Sequence, residues 1–106
     1  NLSLLQPFFI PCHGVYVVRV KTEDDHNIMG IMNIGVRPTI TQPKLEERLE
    51  VHLFDWNEDI YGRTLRIDFL HYLREEREFP SLDELIAQIR VDVEKAKSWI
   101  AQFAMV

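Results

Sequence analysis

A glutamate near the middle of the chain lies where a reacting group could be held rigidly. Residues 49–54 alternate between apolar and polar side chains, which predicts a strand that turns Glu50 and His52 to one face. A polar segment with interspersed aromatic residues follows and ends at Gly62. A carboxylate on a strand just before such a loop is a candidate general base. The same pattern is also typical of the solvated face of a half-buried strand.

Glu50 suits one kind of chemistry better than others. An ordinary glutamate is too weak a base to deprotonate an alcohol in its ground state, so it needs a transition state in which the hydroxyl becomes acidic late. Phosphoryl transfer has such a transition state. The histidines and Cys12 lack zinc-ligand spacing, and the sequence has no serine nucleophile elbow, Walker loop or dinucleotide-binding glycine loop.

Two further segments carry candidate ligand-binding groups. A charged run in residues 73–80 contains Arg74 and Arg77, which either reach a ligand or belong to a solvated turn. Phe79, before the N-cap, fits a hydrophobic staple with Leu85 or Ile86 better than it fits a ligand contact. Residues 33–39 form either a binding turn or the bent end of a strand.

The elements that position these residues are mostly strands. Clusters of β-branched and aromatic residues predict four strands, over 14–20, 28–36, 49–55 and 64–72. The charged residues 40–48 predict a loop, and residues 73–80 a linker. Gly30 and Gly35 lie inside the second strand, where glycine marks a bulge, a bend or a close approach. The links are too short for helical crossovers, so we expect an antiparallel sheet, curled or closed as a small barrel.

The C-terminal part of the chain predicts one amphipathic helix. Ser81 suits the N-cap position, and Glu84 three residues later completes a capping-box pattern. The apolar residues recur at helical spacing and form one stripe: Leu82, Leu85, Ile86, Ile89, Val93, Ala96, Ile100 and Phe103. A helix of about twenty residues must bury this stripe, and the sheet is the partner available.

Length, composition and charge narrow the class of function. A chain of 106 residues with 46% hydrophobic residues suits one globular domain. The net charge of −5 disfavours nucleic-acid binding through bulk charge but is compatible with nucleotides. We expect neither a membrane span nor a secretory signal. The single cysteine, Cys12, cannot form an internal disulfide, which favours a cytoplasmic location.

Several separated motifs occur together and resemble one family. They are Gly14-Val15-Tyr16, Asn33-Ile34-Gly35, Glu50-x-His52-Leu53-x-Asp55, Asp59-x-Tyr61-Gly62, Leu73-Arg74 and Phe79-x-Ser81-Leu82. In this order they resemble the riboflavin kinase module, above all the C-terminal half of bacterial bifunctional riboflavin kinase/FMN adenylyltransferase. The similarity runs from Pro11 to Ala101, so residues 1–106 are identified as one kinase domain.

The resemblance implies a mainly β fold, a six-stranded antiparallel Greek-key barrel with a C-terminal α-helix. It implies ATP-dependent phosphorylation of the riboflavin 5′-hydroxyl to FMN, with Mg²⁺ or another divalent metal, and an FMN adenylyltransferase domain fused upstream. Glu50 matches the catalytic base of the family. The remaining matches assign Leu53, Asp55 and Tyr61 to ATP and Arg74, Arg77 and Phe79 to the flavin.

The start of the chain departs from the family pattern. Family members carry a Gly-rich segment and a Pro-Thr-Ala-Asn motif whose Thr and Asn bind the metal and the nucleotide phosphates. Asn1 matches the last residue of that motif and is the predicted metal ligand, whereas the preceding residues are missing. A metal site that lacks a ligand and its phosphate-binding backbone is weak. We therefore expect this chain to have the kinase fold and impaired kinase activity.

Three other functions are compatible with the sequence. A non-catalytic flavin- or nucleotide-binding barrel would bind riboflavin without consuming ATP. A purely structural fragment would bind neither riboflavin nor ADP. A nucleic-acid-binding barrel is disfavoured by the acidic balance and by the lack of a basic stripe with aromatic residues.

Overall fold

The fold is an antiparallel sheet with one helix packed across it. The computed structural model describes residues 12–38, 45–56 and 64–104. The strands are β1 (Gly14–Lys21), β2 (Asn27–Pro38), β3 (Leu45–Leu53) and β4 (Arg66–Arg74), and the helix is α1 (Leu82–Ala104). The strands lie in the spatial order β3-β2-β1-β4, and each neighbouring pair is antiparallel.

Strand β1 is buried on both faces, and this divides the apolar residues into two clusters. One face, with Val18 and Val20, packs against residues of all three other strands in a barrel-like interior. The opposite face, with Val17, packs against Ile31 of β2 and Ala96 of α1. A strand covered on both faces reads as a continuous apolar run, which is the pattern of residues 14–18.

The predicted mainly β, antiparallel architecture with a C-terminal helix is confirmed, but the predicted bounds of β2, β3 and β4 are wrong by one to four residues. Strand β3 begins at Leu45, inside the predicted loop 40–48, and pairs with β2 as far as Pro38. Strand β4 ends at Arg74, inside the predicted linker. Charged side chains suggested loops in both places, but ladder formation depends on the neighbouring strand more than on local composition. The described ranges contain four strands, so a total of six stays a prediction.

The bulges of the sheet lie in β4 and not in β2, where the glycines led us to expect one. The register of β1 with β4 shifts between Val15 and Tyr16 and again between Val17 and Val18. Each shift leaves one extra residue in β4, and these residues, Leu73 and Leu70, pack into the cluster beneath the helix. Bulges bend a strand and increase its twist, which is consistent with a curled sheet.

Helix α1 begins where its sequence predicts. The backbone N–H of Glu84 donates to Ser81 Oγ at 3.2 Å, which confirms Ser81 as the N-cap. The predicted apolar stripe is buried only in part, with Ala96 fully enclosed. Four of its members are exposed: Leu82, Ile86, Ile89 and Phe103. No helix in the described ranges has the length and apolarity to cross a membrane.

Gly30 lies where β2 passes close to the backbone of β3. A Cβ at this position would meet the backbone carbonyl oxygen of His52, which confirms the predicted close approach at this glycine. We expect Gly30→Ala to push the two strands apart and to lower the free energy of unfolding by about 1–3 kcal/mol, measured by chemical denaturation. Gly35→Ala is the matched control, because its methyl group would meet only the mobile end of the Glu76 side chain. Equal losses in both variants would contradict the steric explanation.

An ion pair joins β1 and β4 on the surface. Arg19 Nη2 donates to Asp68 Oδ2 at 3.0 Å, and Arg66 Nε donates to Asp68 Oδ1 at 3.2 Å. The hydrogen bond from Arg19, reinforced by Arg66, holds the pKa of Asp68 below its ordinary value. A carboxylate with a lowered folded-state pKa stabilises the fold above its unfolded-state pKa. That contribution is lost as the pH falls through the folded-state pKa.

Asp68→Asn should therefore unfold at a lower temperature than the wild type at neutral pH. The difference should shrink as the pH falls below about 4, because the wild-type carboxylate then becomes neutral as well. Thermal unfolding of both proteins from about pH 7 to about pH 2.5 measures this effect. A difference in Tm that stayed constant over the whole range would show that the charge of Asp68 does not stabilise the fold.

Candidate active site

A row of four residues crosses the helix side of the sheet. Glu50 of β3 pairs with Asn33 of β2, Asn33 pairs with Val15 of β1, and Val15 pairs with Arg74 of β4. Directly paired residues point to the same face, and Val15 belongs to the cluster beneath α1. With neighbouring strands about 4.8 Å apart, Glu50 and Arg74 lie roughly 14 Å apart at the two ends of this row.

Asn33 places a polar group beside Glu50. Its side-chain oxygen Oδ1 is buried, and no donor in the described ranges bonds to it. A buried acceptor without a donor costs about 1–3 kcal/mol, so a ligand or water that donates a hydrogen bond here is favoured. Glu50, directly opposite on β3, is half-buried. The two side chains therefore offer neighbouring oxygen acceptors at one place on the sheet.

An apolar pocket adjoins Glu50 along β3. His52, two residues away on the same face, forms one wall. The other wall belongs to α1: Ile86, Ile89, Arg90, Val93 and Glu94. Same-face neighbours on a strand are roughly 7 Å apart, so a ligand in this pocket can reach Glu50. The prediction that the apolar stripe of α1 is buried is wrong for Ile86 and Ile89. They are 39% and 37% exposed and face the pocket.

A cation–π contact joins α1 to the residue that follows β3. Phe54 lies next to His52 with 5.8 Å between ring centroids. Lys97 of α1 places its Nζ 5.5 Å from the centroid of the Phe54 ring. Phe54 also packs into the cluster beneath the helix. The pocket therefore lies beside the part of α1 that packs on the sheet, where Ile86 and Ile89 are exposed.

The three predicted flavin residues lie close together. The guanidinium carbons of Arg77 and Arg74 lie 4.8 and 5.8 Å from the centroid of the Phe79 ring. Arg74 is the last residue of β4, and its Nε and Nη2 donate to Asp92 of α1 at 2.9 and 2.8 Å. The arrangement forms a cationic and aromatic group at the end of the row opposite Glu50.

Glu76, which lies between Arg74 and Phe79 in the chain, contacts β2. Its carboxylate contacts Gly35 of β2 at the place where another residue would carry its Cβ. Gly35 lies two residues after Asn33 on the same strand face. The absence of a side chain at Gly35 therefore allows the Glu76 carboxylate to lie against β2, which confirms the close approach predicted for this second glycine.

The predicted ATP residues are arranged differently. Leu53 packs against the interior cluster, on the face of β3 opposite Glu50. Asp55 is exposed and has a φ of 56°, a left-handed conformation that aspartate tolerates. Tyr61 and Asn1, predicted to contact ATP and the metal, lie outside the described residues. The assignment of these four residues therefore stays a prediction.

Asp92 is a residue of the site that sequence reasoning missed. It is 2% exposed and accepts hydrogen bonds from Arg74 and from Gln88, whose Nε2 lies 3.0 Å from Oδ1. The signal was present in the helical spacing. Asp92 lies three residues after Ile89 and four before Ala96, on the inner face of α1. A carboxylate on such a face requires a partner.

One protein-family model matches the chain. The family is described as Flavokinase, riboflavin kinase, and the match covers residues 1–100. The bifunctional riboflavin kinase/FMN adenylyltransferase of Haemophilus influenzae is 45% identical over 89 residues, which are 84% of this chain and 28% of that protein. The RNA-binding riboflavin kinase RibR of Bacillus subtilis is 44% identical over 81 residues, which are 76% of this chain and 34% of RibR. The chain therefore spans about a third or less of these relatives.

A solved structure has a similar fold. The crystal structure titled as the macrolide-efflux protein from Streptococcus pneumoniae matches with a TM-score of 0.82 at 35% identity. The match covers 93% of this chain and 32% of that one. The arrangement of strands and helix described above therefore recurs within a longer protein.

Proposed function

Because the chain belongs to the riboflavin kinase family, we propose that it transfers the γ-phosphate of ATP to the 5′-hydroxyl of riboflavin, giving FMN and ADP. The observation that carries the proposal is the position of Glu50 beside Asn33, next to the apolar pocket and in one row with Arg74. One face of the sheet thus presents a candidate base, a hydrogen-bond acceptor and an apolar surface. Riboflavin, with a polar chain on a largely apolar ring system, needs all three.

Glu50 acts in this proposal as the general base. The 5′-hydroxyl oxygen forms a bond to the γ-phosphorus while the bond from that phosphorus to the β–γ bridging oxygen breaks, and ADP leaves. The hydroxyl proton passes to the Glu50 carboxylate. Because the transition state is loose, the orientation of the hydroxyl matters more than the strength of the base. Asn33 Oδ1 would accept a hydrogen bond from another hydroxyl of the ribityl chain.

The flavin ring is placed in the pocket between His52 and α1. A planar ring in this pocket would cover the exposed side chains of Ile86 and Ile89, which gives the solvent-exposed part of the helix an apolar partner. Arg74, together with Arg77 and Phe79, would border the ring on the side away from Glu50. The roughly 14 Å between the ends of the row is a span that riboflavin with its extended chain can bridge.

ATP is assigned to the end of β3, where Leu53 and Asp55 follow Glu50, so that its γ-phosphate can meet the hydroxyl at Glu50; Tyr61 stays a predicted ATP contact. Mg²⁺ accompanies ATP in this proposal, because it binds nucleotide phosphates with one or two protein ligands and several waters. Residues 12–38, 45–56 and 64–104 hold no group of three or more His, Cys, Asp and Glu side chains suited to a metal. The described residues thus do not build a metal site. Asn1 stays the proposed protein ligand, and the step above involves only protein and substrate groups.

Two further properties are proposed, a second domain upstream and a location in the cell. Because the relatives are longer and named for both activities, an FMN adenylyltransferase domain is proposed upstream. A cytoplasmic location is proposed on the ground that Cys12 is an exposed free thiol. RNA binding, named for RibR, is not extended to this chain, since its net charge is −5.

Glu50→Gln tests the proposed base. The substitution keeps the shape of the side chain but removes its ability to accept a proton, so kcat for FMN formation should fall by roughly 10²-fold or more. The KM for ATP should change little, since the proposed contact of Glu50 is with the riboflavin hydroxyl and not with ATP. FMN formation from riboflavin and Mg-ATP, followed by chromatography with fluorescence detection, measures both constants.

Glu23→Gln is the matched control for this substitution. Glu23 lies in the turn between β1 and β2, and its Oε1 accepts a hydrogen bond from Thr64 N that a glutamine oxygen can also accept. It should retain wild-type turnover. Wild-type turnover in Glu50→Gln would exclude Glu50 as the base. Riboflavin binding without ATP consumption in the wild type would instead favour the non-catalytic binding barrel.

Ile89→Glu tests the placement of the ring. A carboxylate in the pocket would have to be desolvated by the ring, so the affinity for riboflavin should fall by about tenfold or more. Leu82→Glu is the matched control, since Leu82 is 68% exposed on the same helix and is not part of the pocket lining. Titration of riboflavin fluorescence measures both affinities. Equal affinities in the two variants would place the ring elsewhere.

A further inference from the structure

A buried ion pair joins the end of β4 to the middle of α1. Arg74 Nε and Nη2 donate to the two carboxylate oxygens of Asp92 at 2.9 and 2.8 Å. The side chains of Arg74 and Asp92 are 19% and 2% exposed. Gln88, one turn earlier in the helix, donates to Asp92 Oδ1 at 3.0 Å. Both oxygens of Asp92 are therefore occupied, and the plane of the guanidinium group is set by two parallel hydrogen bonds.

The net contribution of such a pair to stability is small. Desolvation of the two charges offsets most of their attraction, and an apolar pair of similar volume often stabilises a fold as well or better. What the pair provides is geometry, because a bidentate contact fixes both the position and the plane of the guanidinium. The pair is thus better suited to orienting Arg74 than to holding the domain together.

Arg74 keeps unused donors in this orientation. Its N–H groups donate to both oxygens of Asp92 and, through Nη1, to the carbonyl oxygen of Glu75 at 2.9 Å. A guanidinium carries five N–H groups, so two of them have no acceptor in the described part of the chain. They belong to Nη1 and Nη2. Arg74 also lies over the ring of Phe79, and both residues are assigned to the flavin.

Asp92, which binds Arg74, belongs to the same turn of α1 as two residues that line the pocket. Ile89, three residues earlier, and Val93, the next residue, line the pocket, whereas Asp92 points from the same turn of α1 to Arg74. One helical turn therefore holds both parts of the site. Ile89 and Val93 would contact the apolar part of a ring, and Asp92 holds Arg74, which would contact the polar edge of the ring. A substitution of Asp92 therefore alters the position of Arg74 without removing any atom from the pocket wall.

We propose that Asp92 is a positioning residue, which holds Arg74 so that its two remaining N–H groups meet the carbonyl oxygens on the pyrimidine-like edge of the flavin ring. The inference rests on the proposed function, since it takes riboflavin as the ligand of this face. It assigns no contact with the substrate to Asp92 itself. It predicts that loss of the Asp92 charge changes recognition of the flavin and leaves recognition of ATP unchanged.

The test compares Asp92→Asn with the wild type in the full chain. Asparagine keeps the shape of the side chain and one acceptor oxygen but cannot hold the guanidinium at two points. We expect the Kd for riboflavin, from fluorescence titration, to rise by about tenfold, and the KM for riboflavin to rise with it. The KM for ATP should stay within about twofold of the wild-type value.

Val20→Ala is the matched control for any loss of stability. Val20 is fully buried in the interior cluster, on the face of the sheet away from Arg74, so its truncation destabilises the domain without touching the ion pair. It should lower Tm but keep the affinity for riboflavin. If Asp92→Asn fails to fold, Gln88→Leu replaces it, because this variant removes only the third hydrogen bond to Asp92. A twofold to threefold rise in the Kd for riboflavin is then expected.

The outcomes distinguish the proposed role of Asp92 from the proposed riboflavin kinase function. A selective rise in the Kd and KM for riboflavin in Asp92→Asn supports the inference. If the wild type binds and phosphorylates riboflavin and Asp92→Asn lowers only Tm, as Val20→Ala does, the pair is structural and the inference is wrong. Equal weakening for riboflavin and ATP also overturns it. If the wild type neither binds nor phosphorylates riboflavin, the proposed function fails, and the inference fails with it.

Discussion

The burial of β1 on both faces is the constraint on which the rest of the structure depends. Val17, Val18 and Val20 are completely enclosed, although they point to opposite sides of the sheet. Burying a valine side chain contributes about 1.5–3 kcal/mol relative to its exposure, so neither face can be left in water. One face is covered by the curl of the sheet itself. The other has to be covered by α1, which therefore lies across β1 with Ala96 against the apolar side chains.

The candidate site lies where this coverage ends. The C-terminal half of α1 packs against the sheet, while Ile86 and Ile89 in the other half are partly exposed. Glu50 and Asn33 lie on the same face of the sheet as the helix and are half-buried. Polar groups at such a margin are partly shielded from water but accessible to a ligand, and hydrogen bonds are stronger there than in bulk solvent. The margin of the apolar core thus combines an apolar wall with polar groups.

Covering both faces also brings charged groups into the core. Asp92 lies on the inner face of α1 because the helix is held at Ala96, one turn later. Its partner Arg74 is available because the two bulges in β4 shift the register by two residues, so that Arg74 and not Tyr72 lies opposite Val15. The ion pair therefore depends on the strand register and on the helix position together. The cluster of Arg74, Arg77 and Phe79 at the end of β4 follows from the same two features.

The sequence by itself determined the four strands, the N-cap at Ser81, the shared face of Glu50 and His52, and the order of motifs that identifies the family. Each of these depends on local periodicity, on turn chemistry or on residues read directly along the chain. Only the tertiary structure decided that β3 starts at Leu45, that the bulges lie in β4, and that Asn33 has a buried oxygen without a donor in the described ranges. It alone decided which part of the helical stripe is exposed and that Arg74 binds Asp92. The physical reason is that these features depend on which strand lies next to which and on where the helix crosses the sheet. Such contacts join residues far apart in sequence, and no local pattern records them.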